Sequence, residues 1–142
     1  EPEQVYAVDV DASLLDELDD LAGRQAVENV VPIHGDARNL PAVLPDRVDT
    51  LVVANTFHGI DDRSGFVEQA YEAINPGGSL VVVNWRDQPR KTTTVGGEPR
   101  GPPTDLRMPP AETEAAVCSA TAFELDRQVD LPPHHYALVF DR

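Results

Sequence analysis

Apolar residues alternate along the chain between short continuous runs and helical stripes, a pattern that predicts an α/β fold. The continuous runs favour parallel strands that are buried on both faces, because such strands need few polar positions. The predicted strands are residues 5–10, 30–34, 48–55 and 79–85. A helix is expected between Asp11, which can cap it, and Gly23, because four leucines between these residues share one helical face. Further helices are predicted over residues 64–74 and 111–121, the first of them stopped by Asn-Pro-Gly-Gly at residues 75–78.

The C-terminal third of the chain has a different character. Residues 86–110 hold six of the thirteen prolines and three of the nine glycines, which predicts an irregular segment of the kind that covers a site. Residues 122–129 and 135–140 favour a terminal antiparallel hairpin. His134 and His135 lie at its mouth, where they are expected on an edge strand or against a substrate. All 142 residues are expected to form a single domain.

An acidic residue follows each of the first two predicted strands. Asp9 ends the first apolar run, and Asp36 comes directly after the second. An open α/β sheet binds nucleotides at the carboxyl ends of its strands. One carboxylate can accept hydrogen bonds from the two neighbouring hydroxyls of a ribose, and a second can accept from an adenine amino group. The two aspartates therefore predict a site for a nucleoside-containing cofactor.

The composition of the chain argues against several classes of function. A net charge of −14 argues against a nucleic-acid partner, because a phosphate backbone requires a basic surface. The longest apolar run is five residues, far short of a membrane span, and no signal peptide is seen, so a cytoplasmic location without membrane contact is expected. The single cysteine, Cys118, is expected to be a small buried thiol. The spacing of the histidines indicates no metal site.

Four motifs in this order resemble those of class I S-adenosylmethionine-dependent methyltransferases: Ala-Val-Asp-Val-Asp at residues 7–11, Gly-Asp-Ala-Arg-Asn-Leu-Pro at 35–41, the stretch at 48–62, and Ala-Ile-Asn-Pro-Gly-Gly at 73–78. The C-terminal part is similar to that of a bacterial subgroup of generic methyltransferases. The resemblance implies a Rossmann-like, mostly parallel sheet and S-adenosylmethionine as cofactor. It implies that Asp9 binds the ribose and that Val10 lies against the adenine. Asp36 and the Ala37 N–H would contact the adenine edge, and Asn55 would lie beneath the methionine part.

His58 follows the third predicted strand, where the resemblance implies that the transferring methyl group lies. A neutral imidazole there can take a proton from the incoming nucleophile. An imidazole that only bonds loop carbonyls is the alternative. Methyl transfer to a small molecule is the expected reaction.

The same resemblance implies a first strand with a glycine-rich turn that this chain does not show before Asp9. The chain is therefore expected to be the N-terminally incomplete part of a longer polypeptide. We expect the chain, when alone, to bind the cofactor weakly or not at all. We also expect it either to be poorly stable or to associate through exposed strand edges.

Two other functions remain open at this point. The chain could be a non-catalytic relative that serves as a binding or scaffold protein. It could also be a nicotinamide-dependent oxidoreductase, because an acidic residue after the second strand serves that class as well. The residues name neither the methyl acceptor nor the acceptor atom, and they leave the oligomeric state open.

Overall fold

A computed structural model describes residues 3–142, which form four α-helices and eight strands. The strands are β1 (Val5–Asp9), β2 (Val30–His34), β3 (Val48–Ala54), β4 (Ile74–Trp85), β5 (Thr94–Val95), β6 (Glu98–Pro99), β7 (Glu124–Leu131) and β8 (His135–Asp141). The helices are α1 (Ala12–Arg24), α2 (Leu40–Val43), α3 (Arg63–Ala73) and α4 (Pro110–Cys118). By its backbone contacts the chain divides into two units, residues 1–47 and 48–142.

The first unit is a β–α–β arrangement. β1 and β2 pair in parallel, with Val5 opposite Val30 and Asp9 opposite His34. Asp11 caps α1 as predicted, because its carboxylate accepts a hydrogen bond from the Ser13 N–H. The prediction that α1 ends at Gly23 is wrong by one residue. The helix continues to Arg24, and Ala26 takes the left-handed conformation, with a φ of 54°.

The second unit contains a four-stranded sheet in the order β3-β4-β8-β7. β3 and β4 are parallel, whereas β8 is antiparallel to both β4 and β7. The predicted α/β fold, with parallel strands and a C-terminal antiparallel hairpin, is confirmed. The expected edge position of His135 is wrong, because β8 lies between β4 and β7. The 86–110 segment is irregular as predicted, apart from the two-residue strands β5 and β6.

β4 begins five residues earlier than the sequence suggested. Residues 75–78 were expected to be only a stop after a helix, but the strand already starts at Ile74. Gly78 permits this path, since a Cβ there would lie 2.6 Å from the Asp49 carbonyl oxygen. α3 therefore leads directly into the strand, without a separate loop.

The core of the second unit lies on one face of its sheet. Leu80, Val82 and Phe140 are fully buried on that face, which α3 and α4 cover. The predicted burial of β3 on both faces does not hold throughout, since Val52 is 60% exposed whereas Val53 is buried. Among the described strands, β3 pairs only with β4 and is an edge of its sheet.

A polar network joins α4 to this core. The Tyr136 hydroxyl donates to the Met108 carbonyl oxygen at 2.7 Å and lies 2.8 Å from the Thr113 hydroxyl. The Asn84 amide donates to both hydroxyls. Because these side chains are buried, each lost hydrogen bond leaves a polar atom without water to replace it.

We expect Tyr136→Phe to lower the free energy of unfolding by about 1–3 kcal/mol, because the Met108 carbonyl and the Asn84 amide lose a buried partner. Urea denaturation measures the change. Tyr6→Phe is the matched control, since the Tyr6 hydroxyl bonds only Gln4 at an exposed position. The control is expected to change stability by less than about 0.5 kcal/mol. Equal losses in the two variants would contradict the role of the network.

Candidate functional site

The first unit places Asp9 and Asp36 at one edge of its parallel pair. Asp9 ends β1, and the Asp9 carbonyl accepts a hydrogen bond from the Gly35 N–H at 2.9 Å. Asp36 is the next residue along the chain. The adjacent Val10 side chain is 65% exposed and gives this edge an apolar surface. The predicted proximity of the two acidic residues therefore follows from the pairing of β1 with β2.

One oxygen of the Asp9 carboxylate has no hydrogen-bond partner among the described residues. Oδ1 accepts a hydrogen bond from the Asp11 N–H at 2.8 Å, so Asp9 orders the turn into α1. No described residue donates to Oδ2. A carboxylate with one oxygen held and the other open is suited to a donor from outside the chain, and two neighbouring hydroxyls fit this arrangement.

Asp36 is engaged on both oxygens by Arg38. The Arg38 backbone N–H donates to Oδ1 at 2.9 Å, and the guanidinium binds both oxygens. These bonds, the side-chain ones above all, lower the pKa of Asp36 to about 2. Asp36 therefore remains ionised at any physiological pH. Ala37 begins a short 3-10 turn, whose first N–H groups have no acceptor within the turn.

Asn55 and His58 follow β3 in the second unit. Asn55 has a φ of 57°, a left-handed conformation that asparagine tolerates better than most residues, and its N–H donates to the Val83 carbonyl at 2.8 Å. Arg63 holds the next turn, because its guanidinium donates to the Phe57 and His58 carbonyls. The end of β3 is thus hydrogen-bonded to β4, and the turn that follows it is hydrogen-bonded to the Arg63 side chain.

The His58 ring has no hydrogen-bond partner among the described residues, and its Nδ1 is buried. Burial is the main cause that lowers the pKa of His58 below its ordinary value of 6.5, and the positive charges of Arg63 and Arg107 lower it further. The imidazole is consequently neutral at pH 7. The alternative in which His58 bonds loop carbonyls is not what the structure shows, because the His58 carbonyl is the bonded group.

Trp85, at the carboxyl end of β4, is the centre of a second cluster. The His135 ring lies 4.2 Å from the indole between centroids, and His134 stacks at 6.0 Å. The Arg107 guanidinium lies 5.4 Å from the ring centroid, within range of a cation–π contact. Gly101 closes the cluster, because a Cβ there would lie 2.6 Å from the indole.

Arg107 is 5% exposed and organises the segment before it. Its guanidinium donates to four oxygens of residues 86–102: the Arg86, Arg100 and Pro102 carbonyls and the Thr93 hydroxyl. No described acidic residue forms an ion pair with it. Arg107 is not among the site residues predicted from the sequence, although the concentration of basic residues between positions 86 and 107 was a usable signal.

His135 has the same electrostatic character as His58. Burial, followed by the charges of His134 and Arg107, lowers the pKa of His135. Its Nε2 is buried without a hydrogen-bond partner, as is Nδ1 of His134. The carboxyl end of β4 thus places the neutral imidazole of His135 next to a buried cation.

Other expected groups are placed as follows. Cys118 is half-buried, and burial raises the pKa of its thiol. Across residues 3–142, no group of three or more metal-ligating side chains is close enough to hold an ion. A search of the same residues for a helix of sufficient length and apolar character to cross a membrane finds none.

The fold resembles those of solved methyltransferase structures. One is an S-adenosylmethionine-dependent methyltransferase from Aquifex aeolicus, with a TM-score of 0.78 and 18% identity over 97% of this chain and 68% of that chain. A putative type 11 methyltransferase from Sulfolobus solfataricus has a TM-score of 0.70 and 22% identity over 98% and 70%. The glycopeptide N-methyltransferase MtfA, complexed with S-adenosylhomocysteine, has a TM-score of 0.73 and 14% identity over 96% and 72%. Similarity at these identities shows a shared fold.

The sequence itself identifies the family. A model of the methyltransferase domain matches residues 1–82, which is more than half of the chain. The chain belongs to this methyltransferase domain family. The predicted enzyme class, S-adenosylmethionine-dependent methyltransferase, and the predicted cofactor are thereby confirmed. A search of curated protein sequences found no match.

We expect Gly101→Ala to displace the indole of Trp85, because the added Cβ would overlap its ring. Stability should fall by about 1–3 kcal/mol beyond the backbone cost, and the emission of Trp85, the only tryptophan, should shift. Gly97→Ala is the matched control, since Gly97 has a φ of 84° against 86° for Gly101 but no atom near its Cβ position. Identical stability and emission in the two variants would show that packing against Trp85 is unimportant.

Proposed function

We propose that this chain transfers the methyl group of S-adenosylmethionine to a small-molecule acceptor. In this proposal Asp9, Val10, Asp36 and Ala37 hold the nucleoside, whereas Asn55 and His58 serve the reacting end. The observation that carries the proposal is the open oxygen of the Asp9 carboxylate, at the carboxyl edge of a parallel strand pair. The site residues are proposals of ours. The family assignment supports the reaction type and the cofactor.

Asp9 is proposed to accept hydrogen bonds from both ribose hydroxyls. Its Oδ1 already bonds the Asp11 N–H, so the carboxylate is oriented before a ligand arrives. Preorganisation of this kind reduces the entropy lost on binding. The exposed Val10 side chain supplies apolar surface next to the carboxylate, on which the flat adenine can lie.

Asp36 would have to share its carboxylate with Arg38 to accept from the adenine amino group. The pair is solvent-exposed, with side-chain exposures of 77% for Arg38 and 40% for Asp36. Exposed ion pairs contribute little, about 0–1 kcal/mol, so the Arg38 guanidinium can be displaced at low cost. The Ala37 N–H remains available for a ring nitrogen without any rearrangement.

His58 is proposed as the general base. The sulfonium of S-adenosylmethionine already makes its methyl group electrophilic, so the chain must align the acceptor and remove its proton. A neutral imidazole with a lowered pKa and no protein hydrogen bond can accept that proton at neutral pH. Asn55, held in a left-handed conformation, is proposed to line the reacting end.

Because the chain belongs to the methyltransferase domain family, the alternative of a nicotinamide-dependent oxidoreductase is discarded. The non-catalytic alternative makes a different experimental prediction. A scaffold protein would bind S-adenosylmethionine, or nothing, and would release no S-adenosylhomocysteine with any acceptor. A screen of small phenols, amines and thiols for release of this product separates the two functions.

The expectation that all 142 residues form a single domain remains a prediction.

Asp9→Ala is expected to weaken S-adenosylmethionine binding by about 1.5–3 kcal/mol, the usual contribution of hydrogen bonds to a charged group. Asp9→Asn should also weaken binding while it keeps an acceptor for the Asp11 N–H. Calorimetry measures both affinities. Asp11→Ala is the control, because it removes the cap of α1 and should reduce stability by about 0.5–2 kcal/mol without changing the affinity. Unchanged affinity in both Asp9 variants would restrict Asp9 to ordering the turn.

His58→Gln is expected to reduce kcat by about 100-fold or more on any acceptor that must lose a proton. The wild-type rate should fall on the acid side with an apparent pKa below 6.5, because the lowered pKa of His58 keeps the base neutral to a lower pH. That limb should vanish in the variant, with unchanged S-adenosylmethionine affinity as the control. If the limb persists, another group is the base.

A further inference from the structure

Charge is distributed very unevenly along the chain. Residues 86–107 contain five basic and three acidic residues, whereas the rest of the chain contains six basic and twenty-two acidic residues. The segment is therefore net positive in a strongly acidic protein. A local excess of one charge raises the concentration of oppositely charged small molecules near it.

Three of the five cations in the segment are engaged by the protein. Arg107 donates to four oxygens, and Arg90 donates to the Pro99 and Gly101 carbonyls. Arg86 donates to the His135 carbonyl and pairs with Asp130. These bonds shape the segment and leave little capacity for a ligand.

Lys91 and Arg100 are different. Both are exposed, and no hydrogen bond or ion pair joins either side-chain cation to a described residue. The backbone that carries them is braced, because the Arg100 N–H donates to the Thr93 carbonyl at 2.9 Å and the Arg100 carbonyl accepts from Arg107. The Thr93 N–H in turn donates to the carbonyl of Arg90, the neighbour of Lys91. Two unpaired cations are thus carried on a braced stretch of chain.

This stretch borders the indole of Trp85 at the carboxyl end of β4. Gly101, the neighbour of Arg100, packs directly on that ring. His135, directly opposite Trp85 in the sheet, has a buried ring nitrogen, Nε2, without a hydrogen-bond partner among the described residues. A neutral imidazole can donate its N–H to an oxyanion, and an ammonium and a guanidinium can neutralise its charge.

We infer that the 86–107 segment recognises an oxyanion on the methyl acceptor, a carboxylate or a phosphate. Lys91 and Arg100 bind the charged group, and the acceptor lies against Trp85 and His135. The inference rests on the proposed function, because it assigns a substrate class to the same enzyme. The buried charge of Arg107 adds to the attraction without direct contact.

Trp85 provides the assay, because it is the only tryptophan and borders the inferred site. Titrating the 142-residue chain with benzoate and with phenyl phosphate should change its emission in a saturable way, whereas benzyl alcohol should not. The tighter of the two anions identifies the type of oxyanion. The double variant Lys91→Gln/Arg100→Gln should weaken anion binding about ten-fold, as expected for the loss of two exposed charge contacts. Arg24→Gln is the control, since Arg24 is another exposed cation without a partner, in the other unit.

The outcomes separate this inference from the proposed function. Absence of a saturable response to both anions, equal binding of benzyl alcohol, or an equal loss in Arg24→Gln would overturn the inference. Calorimetry with S-adenosylmethionine is run on the same variants. Intact cofactor binding without anion binding overturns only the acceptor assignment. Anion binding with no release of S-adenosylhomocysteine from any acceptor overturns the proposed function and leaves an anion site that serves no methyl acceptor.

Discussion

The backbone pairing of β4 with β8 is the constraint on which the second unit depends. Its register sets Asn84 opposite Tyr136 and Trp85 opposite His135. Because neighbouring residues of a strand point to opposite faces, the first pair enters the core and the second remains on the other face. One set of hydrogen bonds therefore anchors α4 through the Tyr136 network and also assembles the aromatic cluster at the strand end. A shift of one residue would exchange the two faces and abolish both.

The electrostatic character of the carboxyl end of β4 depends on Arg107, a buried cation that forms no ion pair with a described acidic residue. Removing a guanidinium from water is unfavourable, and Arg107 offsets this with four oxygen acceptors rather than with a carboxylate. Its positive charge is consequently not cancelled nearby. It disfavours protonation of His58 and His135, whose pKa values are already lowered by burial. A carboxylate partner for Arg107 would have weakened this effect on both rings.

Much of the architecture could be predicted because it depends on short-range patterns. Apolar runs located the strands, and Asp11 caps α1 as its position suggested. The early start of β4 could not be foreseen, since Asn-Pro-Gly-Gly ordinarily interrupts regular structure and the close approach of the Asp49 carbonyl to Gly78 is a contact between distant parts of the sequence. The ion pair between Asp36 and Arg38 joins residues only two positions apart. It could therefore have been predicted from the sequence, but it was not. The burial of Arg107 depends on carbonyl groups of residues 86, 100 and 102, which no side-chain pattern reveals.

The hydrogen bonds of Arg90 and Arg107 have a further consequence, because almost every acceptor lies within residues 86–107 themselves. The segment carries its own internal bracing. It is joined to the sheet through Trp85, through the His134 bond to the Thr94 carbonyl, and through the bonds of Arg86 to the terminal hairpin. A segment built in this way is structurally self-contained. It can be replaced as a unit by a segment of different length and charge, provided that the new segment covers the same indole. Evolution and protein engineering can thus alter the length and charge of this segment while the strands beneath stay as they are.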